Sequence, residues 1–519
     1  MNRFQSNISF ALIVLITMSA LFLRLYDLDS RPMHGDEANQ AVKTGILLED
    51  GKYVYDPHDH HGPTLYYFGL LTAKSSGHAA FRTTNETTFR VVPVLFGVIL
   101  VVLTFGLRTY FSTPAALVSS LLIALSPAFV FYSRYYIQEM MLVVFTLAAL
   151  FAAFSYIRKP TAVKVLMFGA TFSLMHATKE TAILSYAAMA GSAALVALWY
   201  QKTNPDKAFK TPDEWKYHLV LGISVAVVMN ILLFTSFFTN ARGPIDSILT
   251  YGNYLERSDG AGLHDKPFFY YLSLLSFTHR APGPWWSEAG ILFLAVLGFV
   301  DTGFSWKKKA MSPAALFIAA YTLLLTTAYC LIPYKTPWSM LSFYFGIIIM
   351  AGVGTIAAWN WLKPVGFLRV LAILLFTAIS AHLASQAWQQ NHRYQADPRN
   401  PYVYAHTSSA FMKLANRFEQ IRAVHPDPEN MVVKVYQPDG DYWPIPWYLR
   451  NNPLSGYWSN SLPDDLEADI IVSAPELRGL LTEKLTGAYF KEMHGLRPNV
   501  LRHVYIRQEL WDRFMEGQR

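Results

Sequence analysis

One cysteine, Cys330, stands in a chain of 519 residues. An intrachain disulfide and a cysteine-based zinc site are therefore excluded. Charge is scarce as well. Asp, Glu, Lys and Arg make up 15% of the residues, where a soluble domain carries about 25%. The shortage is uneven: residues 387–519 hold 31 of the 79 charged residues, and residues 1–386 hold the remaining 48. The sequence has no G-x-x-x-x-G-K-[ST] loop, no G-x-S-x-G elbow and no H-E-x-x-H helix, which removes support for ATP-driven transport and zinc proteolysis. No repeat, heptad or low-complexity segment is evident. The net charge of +7 does not point to nucleic acid, because Lys and Arg sit between apolar runs and form no continuous basic face. Disorder, a collagen-like repeat and a single soluble domain are excluded.

Apolar and aromatic residues are abundant: 53% of the chain is hydrophobic, with 35 Phe, 30 Tyr and 13 Trp. A spanning helix needs about 20 mostly apolar residues. The first such run is Ile8–Leu23, followed directly by Arg24-Leu25-Tyr26-Asp27. With no small-residue cleavage site there, it reads as an uncleaved span rather than a signal peptide. Further runs lie near 91–107, 115–132, 140–157, 162–176, 180–200, 218–239, 287–304, 312–332, 338–359 and 366–386. His176–Glu180 is read as the tip between two of these helices. The fold class expected is a polytopic α-helical membrane protein of about 11 transmembrane helices, with a C-terminal extracytoplasmic α/β domain. Residues 1–386 form the membrane domain and 387–519 the water-facing one.

Loop charge sets the orientation. Alternate links carry Arg158, Lys159 and Lys164, then Lys202, Lys207, Lys210 and Lys216, then Lys307–Lys309, then Lys363 and Arg369. Short links on the other side carry Arg134, Lys179 and Lys335 singly. The reading is a multi-pass protein of the cell (inner) membrane with a cytoplasmic N-terminus. The insertions 26–90 and 240–286 and the domain 387–519 then all lie outside. In that domain, Met431–Tyr436 and Asp469–Val472 read as strands, and 408–423 and 475–487 as helices.

The first outer loop is dense in chemistry. It reads Arg31-Pro32-Met33-His34-Gly35-Asp36-Glu37, then Tyr55-Asp56-Pro57-His58-Asp59-His60-His61-Gly62-Pro63-Thr64-Leu65-Tyr66-Tyr67. Residues 37–49 and 64–76 read as amphipathic surface helices, with Asp36 as a candidate cap for the first. The histidine cluster has two readings. It can hydrogen-bond substrate or loop, or one or two of its members can hold a divalent cation with Asp36 or Glu37. Adjacent side chains diverge, so they cannot all reach one ion.

Three charged sites stand at outward span ends, where charge is costly and marks function. They are Arg134 with Glu139, His176 with Lys179 and Glu180, and Lys335 within Pro333–Trp338. Lys and Arg can snorkel to the interface; the short Glu139 and Glu180 side chains are harder to explain that way. In the outer domain, Asp439–Arg450 sets Tyr442, Trp443 and further aromatics around two aspartates. Such faces suit sugar rings, and equally a domain core or a seat on the membrane domain.

A first span, an outer loop with Asp-Glu and two surface helices, and a second acidic site after the third span resemble the GT-C fold of protein O-mannosyltransferases and lipid A aminoarabinose transferases. The motifs His34–Glu37, Tyr55–Tyr67, Lys179-Glu180, Pro333–Trp338, Asn400–Ser408 and Tyr442–Tyr448 together resemble a prokaryotic membrane family labelled flippase-activity-associated and linked to archaeal protein glycosylation. The GT-C resemblance implies a polyprenyl-phosphate-linked sugar donor, an inverting transfer, and a first-loop acid acting as base.

The expected function is therefore transfer of a sugar from such a donor to an acceptor hydroxyl on lipid, protein or glycan. Candidate catalytic residues are Asp36, Glu37 and Glu139. Asp36 is preferred because Gly35 lets the backbone approach closely and because it is the first acid of the motif. Candidate substrate-binding residues are His34, His58, His61, Arg134, Lys179, Glu180, Lys335, Tyr442 and Trp443, with Arg134, Lys179 and Lys335 as phosphate cations. The alternative is a non-enzymatic factor that helps lipid-linked oligosaccharide cross the bilayer. A secondary transporter fits less well, since its charges would lie near the bilayer midplane.

Overall fold

The computed structural model describes residues 3–59, 61–204, 213–258, 264–306 and 312–518. His60, Lys207, Lys210 and Lys307–Lys309 lie outside the described residues. In hydrocarbon a spanning segment must satisfy its own backbone polar groups, and each predicted apolar run is helical. The chain opens with α1 (Arg3–Leu25), then the surface helices α2 (Gly35–Asp50) and α3 (Thr64–Ser75). There follow α4 (Glu86–Gly106), α5 (Thr113–Leu125), α6 (Pro127–Tyr132), α7 (Glu139–Arg158), α8 (Ala162–His176), α9 (Ala182–Thr203) and α10 (Trp215–Phe234). The second insertion holds α11 (Gly243–Ser258), α12 (Tyr270–Ser276) and a short hairpin of β1 (Thr278–His279) and β2 (Trp285–Trp286). The bundle closes with α13 (Ala289–Ser305), α14 (Pro313–Leu331), α15 (Leu341–Trp361) and α16 (Gly366–His392).

Among the described residues, eight helices are long and apolar enough to cross a membrane, namely α1, α4, α7, α9, α10, α14, α15 and α16. Helices α5, α8 and α13 are apolar but shorter. The protein is a multi-pass membrane protein. The expected third span, 115–132, is broken. Ser126 leaves the helical region and Pro127 supplies no N–H, so α5 stops and α6 begins anew. The carbonyls freed at Ile123 and Ala124 accept hydrogen bonds from Arg24 at the end of α1, at 3.0 and 3.1 Å. Arg24 is fully buried and joins the first helix to the break.

Helix α15 packs on α13, α5 and α14, while α4 packs on α5 and α7. These form the interior, with Phe129, Tyr132, Met140, Tyr321, Tyr344 and Ile348 in one continuous core. Helices α1, α10 and α16 have only 17%, 11% and 6% of their apolar windows buried, so their exposed faces meet lipid.

After α16 come α17 (Met412–Val424), β3 (Val433–Tyr436), the short α18 (Ile445–Tyr448), β4 (Ser455–Trp458), β5 (Ile470–Ser473), α19 (Arg478–Lys484), β6 (Tyr489–Arg497), β7 (Val500–Arg507) and α20 (Gln508–Gly517). The five strands form one mixed sheet in the order β4-β3-β5-β7-β6. Strand β3 runs parallel to β4 and β5, and β7 runs antiparallel to β5 and β6. Alternation divides its faces. Val433, Val435, Ile470, Val472, Val504 and Ile506 meet α17 and α20, whereas Tyr436, Ile471 and Tyr505 meet Leu481 of α19. Helix α18 seats this domain on the bundle, with Trp447 Nε1 donating to Glu86 at 2.9 Å and Arg450 to the Thr84 carbonyl at 2.9 Å.

Candidate active site

The site begins at the first turn of α2. His34 occupies the cap, and its Nδ1 accepts the Asp36 N–H at 3.0 Å. The expectation that Asp36 caps the helix is corrected: the helix starts at Gly35, which puts Asp36 inside the first turn. Its carboxylate is 44% exposed and stands 3.9 Å from His34 Nδ1. Because Nδ1 accepts a backbone proton, the imidazole proton belongs on Nε2, which reaches the Tyr404 carbonyl at 3.1 Å. Burial holds the His34 pKa below its ordinary value, against the pull of Asp36 and Glu37.

Glu37 is built quite differently. It is fully buried, and Arg90 donates to both of its oxygens, each at 2.9 Å. The backbone N–H groups of Tyr136 and His34 add hydrogen bonds at 3.0 and 3.1 Å, and Arg31 lies at 3.4 Å. Burial would push this carboxyl up. The charges of Arg90 and Arg31, with the hydrogen bonds, bring it down to about 2. Both of its oxygens are occupied by these donors, whereas the Asp36 carboxylate beside it in the chain is 44% exposed.

Around the His34 ring the wall is aromatic. Tyr135 and Trp338 ring centroids lie 5.2 and 6.0 Å from the His34 ring, and His406 lies at 4.8 Å. Tyr404 stands 5.9 Å from Trp338, and its hydroxyl meets His264 Nδ1 at 2.8 Å. His264 feels the Asp36 charge. Residues 400–408 thread between bundle and loop. Tyr402 hydrogen-bonds Glu288, while Thr407 Oγ1 donates to the Met33 carbonyl at 2.6 Å. On the C-terminal side, Trp443 packs beside Gly35.

A second cluster gathers the other predicted acids. Lys179 pairs with Glu139, and both are buried. Glu180 accepts from the Tyr55 hydroxyl at 3.0 Å and meets His61 Nδ1 at 2.7 Å. Burial and the Lys179 ammonium push the His61 pKa down, with Glu180 pulling the other way. His58 lies apart, with Nδ1 3.2 Å from the Asn253 amide nitrogen, and Asp59 pairs with Lys43 at 2.9 Å. Among the described residues no three His, Cys, Asp or Glu side chains converge on a metal position.

Two predicted phosphate cations differ in kind. Arg134 donates to the carbonyls of Arg24, Tyr26 and Asp27 at 3.0, 2.6 and 2.7 Å. It closes the C-terminal end of α1, so its guanidinium is engaged by backbone carbonyls. Lys335 Nζ donates to the carbonyls of Lys266, at 3.1 Å, and Ile332.

Residues 14–242, less than half of the chain, match the family model described as dolichyl-phosphate-mannose-protein mannosyltransferase. In three dimensions the chain is similar to ArnT from Cupriavidus metallidurans bound to undecaprenyl phosphate, with a TM-score of 0.62, 16% identity, and 95% of this chain and 97% of that one covered. It is similar to the Archaeoglobus fulgidus oligosaccharyltransferase in the apo form, with a TM-score of 0.61, 12% identity, and 95% and 74% covered. It also matches AglB from Archaeoglobus fulgidus in complex with an inhibitory peptide and a dolichol-phosphate, with a TM-score of 0.55, 14% identity, and 98% and 75% covered. The chain has the GT-C fold. No curated protein matches its sequence significantly.

Within this GT-C fold, sequence reasoning missed several residues that shape the site. Arg90 looked like the edge of a span, and Arg31 like loop charge. Glu288 falls inside the predicted apolar run 287–304 and was not singled out. Yet it is buried and accepts from Ser126 Oγ at 2.6 Å, the Ala128 N–H at 2.9 Å, the Tyr344 hydroxyl at 2.8 Å and the Tyr402 hydroxyl. An acid at a membrane edge was the available signal, and it was used for Glu139 and Glu180 but not here.

Proposed function

We propose that this protein is an inverting membrane glycosyltransferase that moves a sugar from a polyprenyl-phosphate donor to an acceptor hydroxyl, with Asp36 as general base. The observation that carries this reading is the contrast between two adjacent carboxylates. Glu37 is buried and bound by two arginines, while the Asp36 carboxylate is 44% exposed and stands 3.9 Å from His34. The fold and the partial family match support the class of reaction. That ArnT and AglB carry polyprenyl and dolichol phosphates supports the donor.

The step balances with these groups. The acceptor oxygen forms a bond to the anomeric carbon as the bond from that carbon to the phosphate oxygen breaks. The electron pair leaves on the phosphate, and the hydroxyl proton passes to Asp36. Inversion needs no covalent sugar–enzyme intermediate and so no nucleophilic carboxylate. Positive charge near the leaving phosphate stabilises the transition state. Lys335 suits that task better than Lys179: no carboxylate lies within ion-pair distance of Lys335 among the described residues, whereas Lys179 is neutralised by Glu139.

The test is transfer of labelled sugar from a polyprenyl-phosphate donor by the purified full chain in detergent. Wild type should form a new glycosidic bond. Asp36→Asn should fold normally and lose about 10²–10⁴-fold in rate. A wild-type chain that moves lipid-linked oligosaccharide across a bilayer while leaving the glycosidic bond intact would replace the transferase reading with the translocation one.

A further inference from the structure

The loop Asp441-Tyr442-Trp443 brings the C-terminal domain to the side of Asp36. A side chain built at Gly35 would meet the Trp443 Cβ at 3.4 Å, one residue from the candidate base. From there the aromatic rings continue outward. Trp443 lies 5.7 Å from Tyr442, and Tyr442 lies 5.2 Å from Tyr457 on β4, the edge strand of the sheet. All three are half-buried, so each packs against protein and keeps part of its surface open. Asp441 flanks the row, paired with Arg497 and, at 3.0 Å, with Arg502. The Asp441 and Arg497 side chains keep 37% and 22% of their surface exposed, and the Arg497 charge reaches His34.

We propose that this row is the acceptor subsite and that the acceptor is a carbohydrate, an inference that rests on the transferase reading. A sugar ring presents C–H groups on its faces and hydroxyls around its edge. Aromatic side chains offer large, stiff apolar surface to the former. A partly exposed carboxylate–guanidinium pair offers fixed acceptors and a planar fork of donors to the latter. The mixture of an apolar wall and a few placed polar groups is that of a small-molecule or glycan cleft. A peptide acceptor would more naturally extend the sheet by pairing with the open side of β4. Tyr442 and Trp443, however, lie in the loop before α18, off the strand direction, and point the row toward Asp36 rather than along the sheet edge. A lipid acceptor would call for open aliphatic surface, and none of the three aromatics is among the strongly exposed hydrophobics.

Binding can be measured without turnover. The full chain in detergent is titrated calorimetrically with mannohexaose, with cellohexaose and with a twelve-residue Ser/Thr-containing peptide. At least one hexasaccharide should bind saturably. Its Kd should rise by about tenfold, worth about 1.4 kcal/mol, in Tyr442→Ala and in Asp441→Asn. It should stay near wild type in Tyr442→Phe, which reports that the loop is folded. Peptide binding in place of sugar, binding of neither hexasaccharide, or equal sugar affinity in Tyr442→Ala and Asp441→Asn would overturn the subsite. The two readings fail separately. Transfer activity with an unchanged acceptor KM in Tyr442→Ala removes the subsite and leaves the transferase standing. Hexasaccharide binding by a wild-type chain that never transfers sugar removes the transferase.

Discussion

The Arg90 guanidinium grips both oxygens of Glu37, Nε to Oε1 and Nη2 to Oε2, and both side chains are wholly buried. This grip ties α4 to the first turn of α2 and so sets where Asp36 stands. Removing one partner of a buried pair leaves an uncompensated charge and costs about 3–5 kcal/mol. Glu37→Gln should therefore lower the thermal midpoint of the detergent-solubilised protein sharply, while Asp36→Asn, on an exposed carboxylate, should barely move it. If both variants melted alike, the division of roles between the two acids would be wrong.

The same pair fixes a pH dependence. The Glu37 carboxyl is held down at about 2 in the folded chain, from 4.5 ordinarily. A depressed carboxyl stabilises the fold fully above its unfolded value, and that contribution fades as pH falls from about 4.5 toward 2. The stake is about 3 kcal/mol at most, from about 1.4 kcal/mol per pH unit. Thermal unfolding measured at pH 6 and pH 3 should show a larger loss for wild type than for Glu37→Gln, which has nothing to protonate. An equal loss in the two proteins would place the acid sensitivity elsewhere.

Much of this molecule is visible in its sequence, and the rest is hidden for physical reasons. Apolar runs are contiguous, so every predicted span is a helix, and the Ser126-Pro127 break inside one of them carried the local signal of a proline. His34, Asp36, Glu180 and His61 stood out in the sequence because acids and histidines are out of place beside a membrane. What each of them touches did not. Glu37 and Asp36 are neighbours in the chain, and it is Arg90, 53 positions away, with Arg31 and the Tyr136 N–H, that sets their surroundings apart. Glu288 draws its partners from 56, 114 and 162 positions away, which no local spacing encodes. Strands β4, β6 and β7 were not foreseen, and β6 is an edge of the sheet and half-exposed. Its Lys491, Glu492 and His494 dilute the alternation that marks a buried strand.

Lys335 and Lys179 give a second contrast. Both stand at span ends, but among the described residues only Lys179 of the two has a carboxylate partner, in Glu139. If Lys335 meets the donor phosphate, Lys335→Met should lose a charge-assisted hydrogen bond worth roughly 1.5–3 kcal/mol, or about tenfold to over a hundredfold in donor affinity. Lys179→Met should instead leave Glu139 buried and unpaired, with a loss of stability as its main effect. Donor affinity measured with a polyprenyl-phosphate probe separates the two. An unchanged affinity in Lys335→Met would leave that buried lysine the task of binding the Lys266 and Ile332 carbonyls alone.

Orientation is testable apart from chemistry. Residues 26–90, 240–286 and 387–519 are expected outside the cytoplasm from loop charge. Single cysteines placed at exposed positions 29 and 476, in a chain with Cys330→Ser, should react with an impermeant reagent in intact cells. Labelling only after permeabilisation would invert the topology and move the site to the other face.

Glu288 and Tyr402 provide the last test, on positioning rather than contact. Glu288 anchors Tyr402, the Tyr402 carbonyl accepts from Tyr132 at 3.0 Å, and two residues on the Tyr404 carbonyl meets His34 Nε2. A shift at Glu288 therefore travels along residues 402–404 to the cap that holds Asp36. Glu288→Gln puts an amide donor among four donors, and Tyr402→Phe removes one of them, each leaving polar groups unsatisfied at about 1–3 kcal/mol. A displacement of the base by about 1 Å can cost up to about a hundredfold in rate, so both variants should show a kcat reduced by about tenfold or more with donor KM little changed. Because the two residues act through one contact, the double variant should be hardly worse than either single one. A role confined to stability would show otherwise: the variants would melt earlier, while kcat per folded molecule stayed at the wild-type value. Additive losses in the double variant would mean that Glu288 reaches the site by another route than Tyr402.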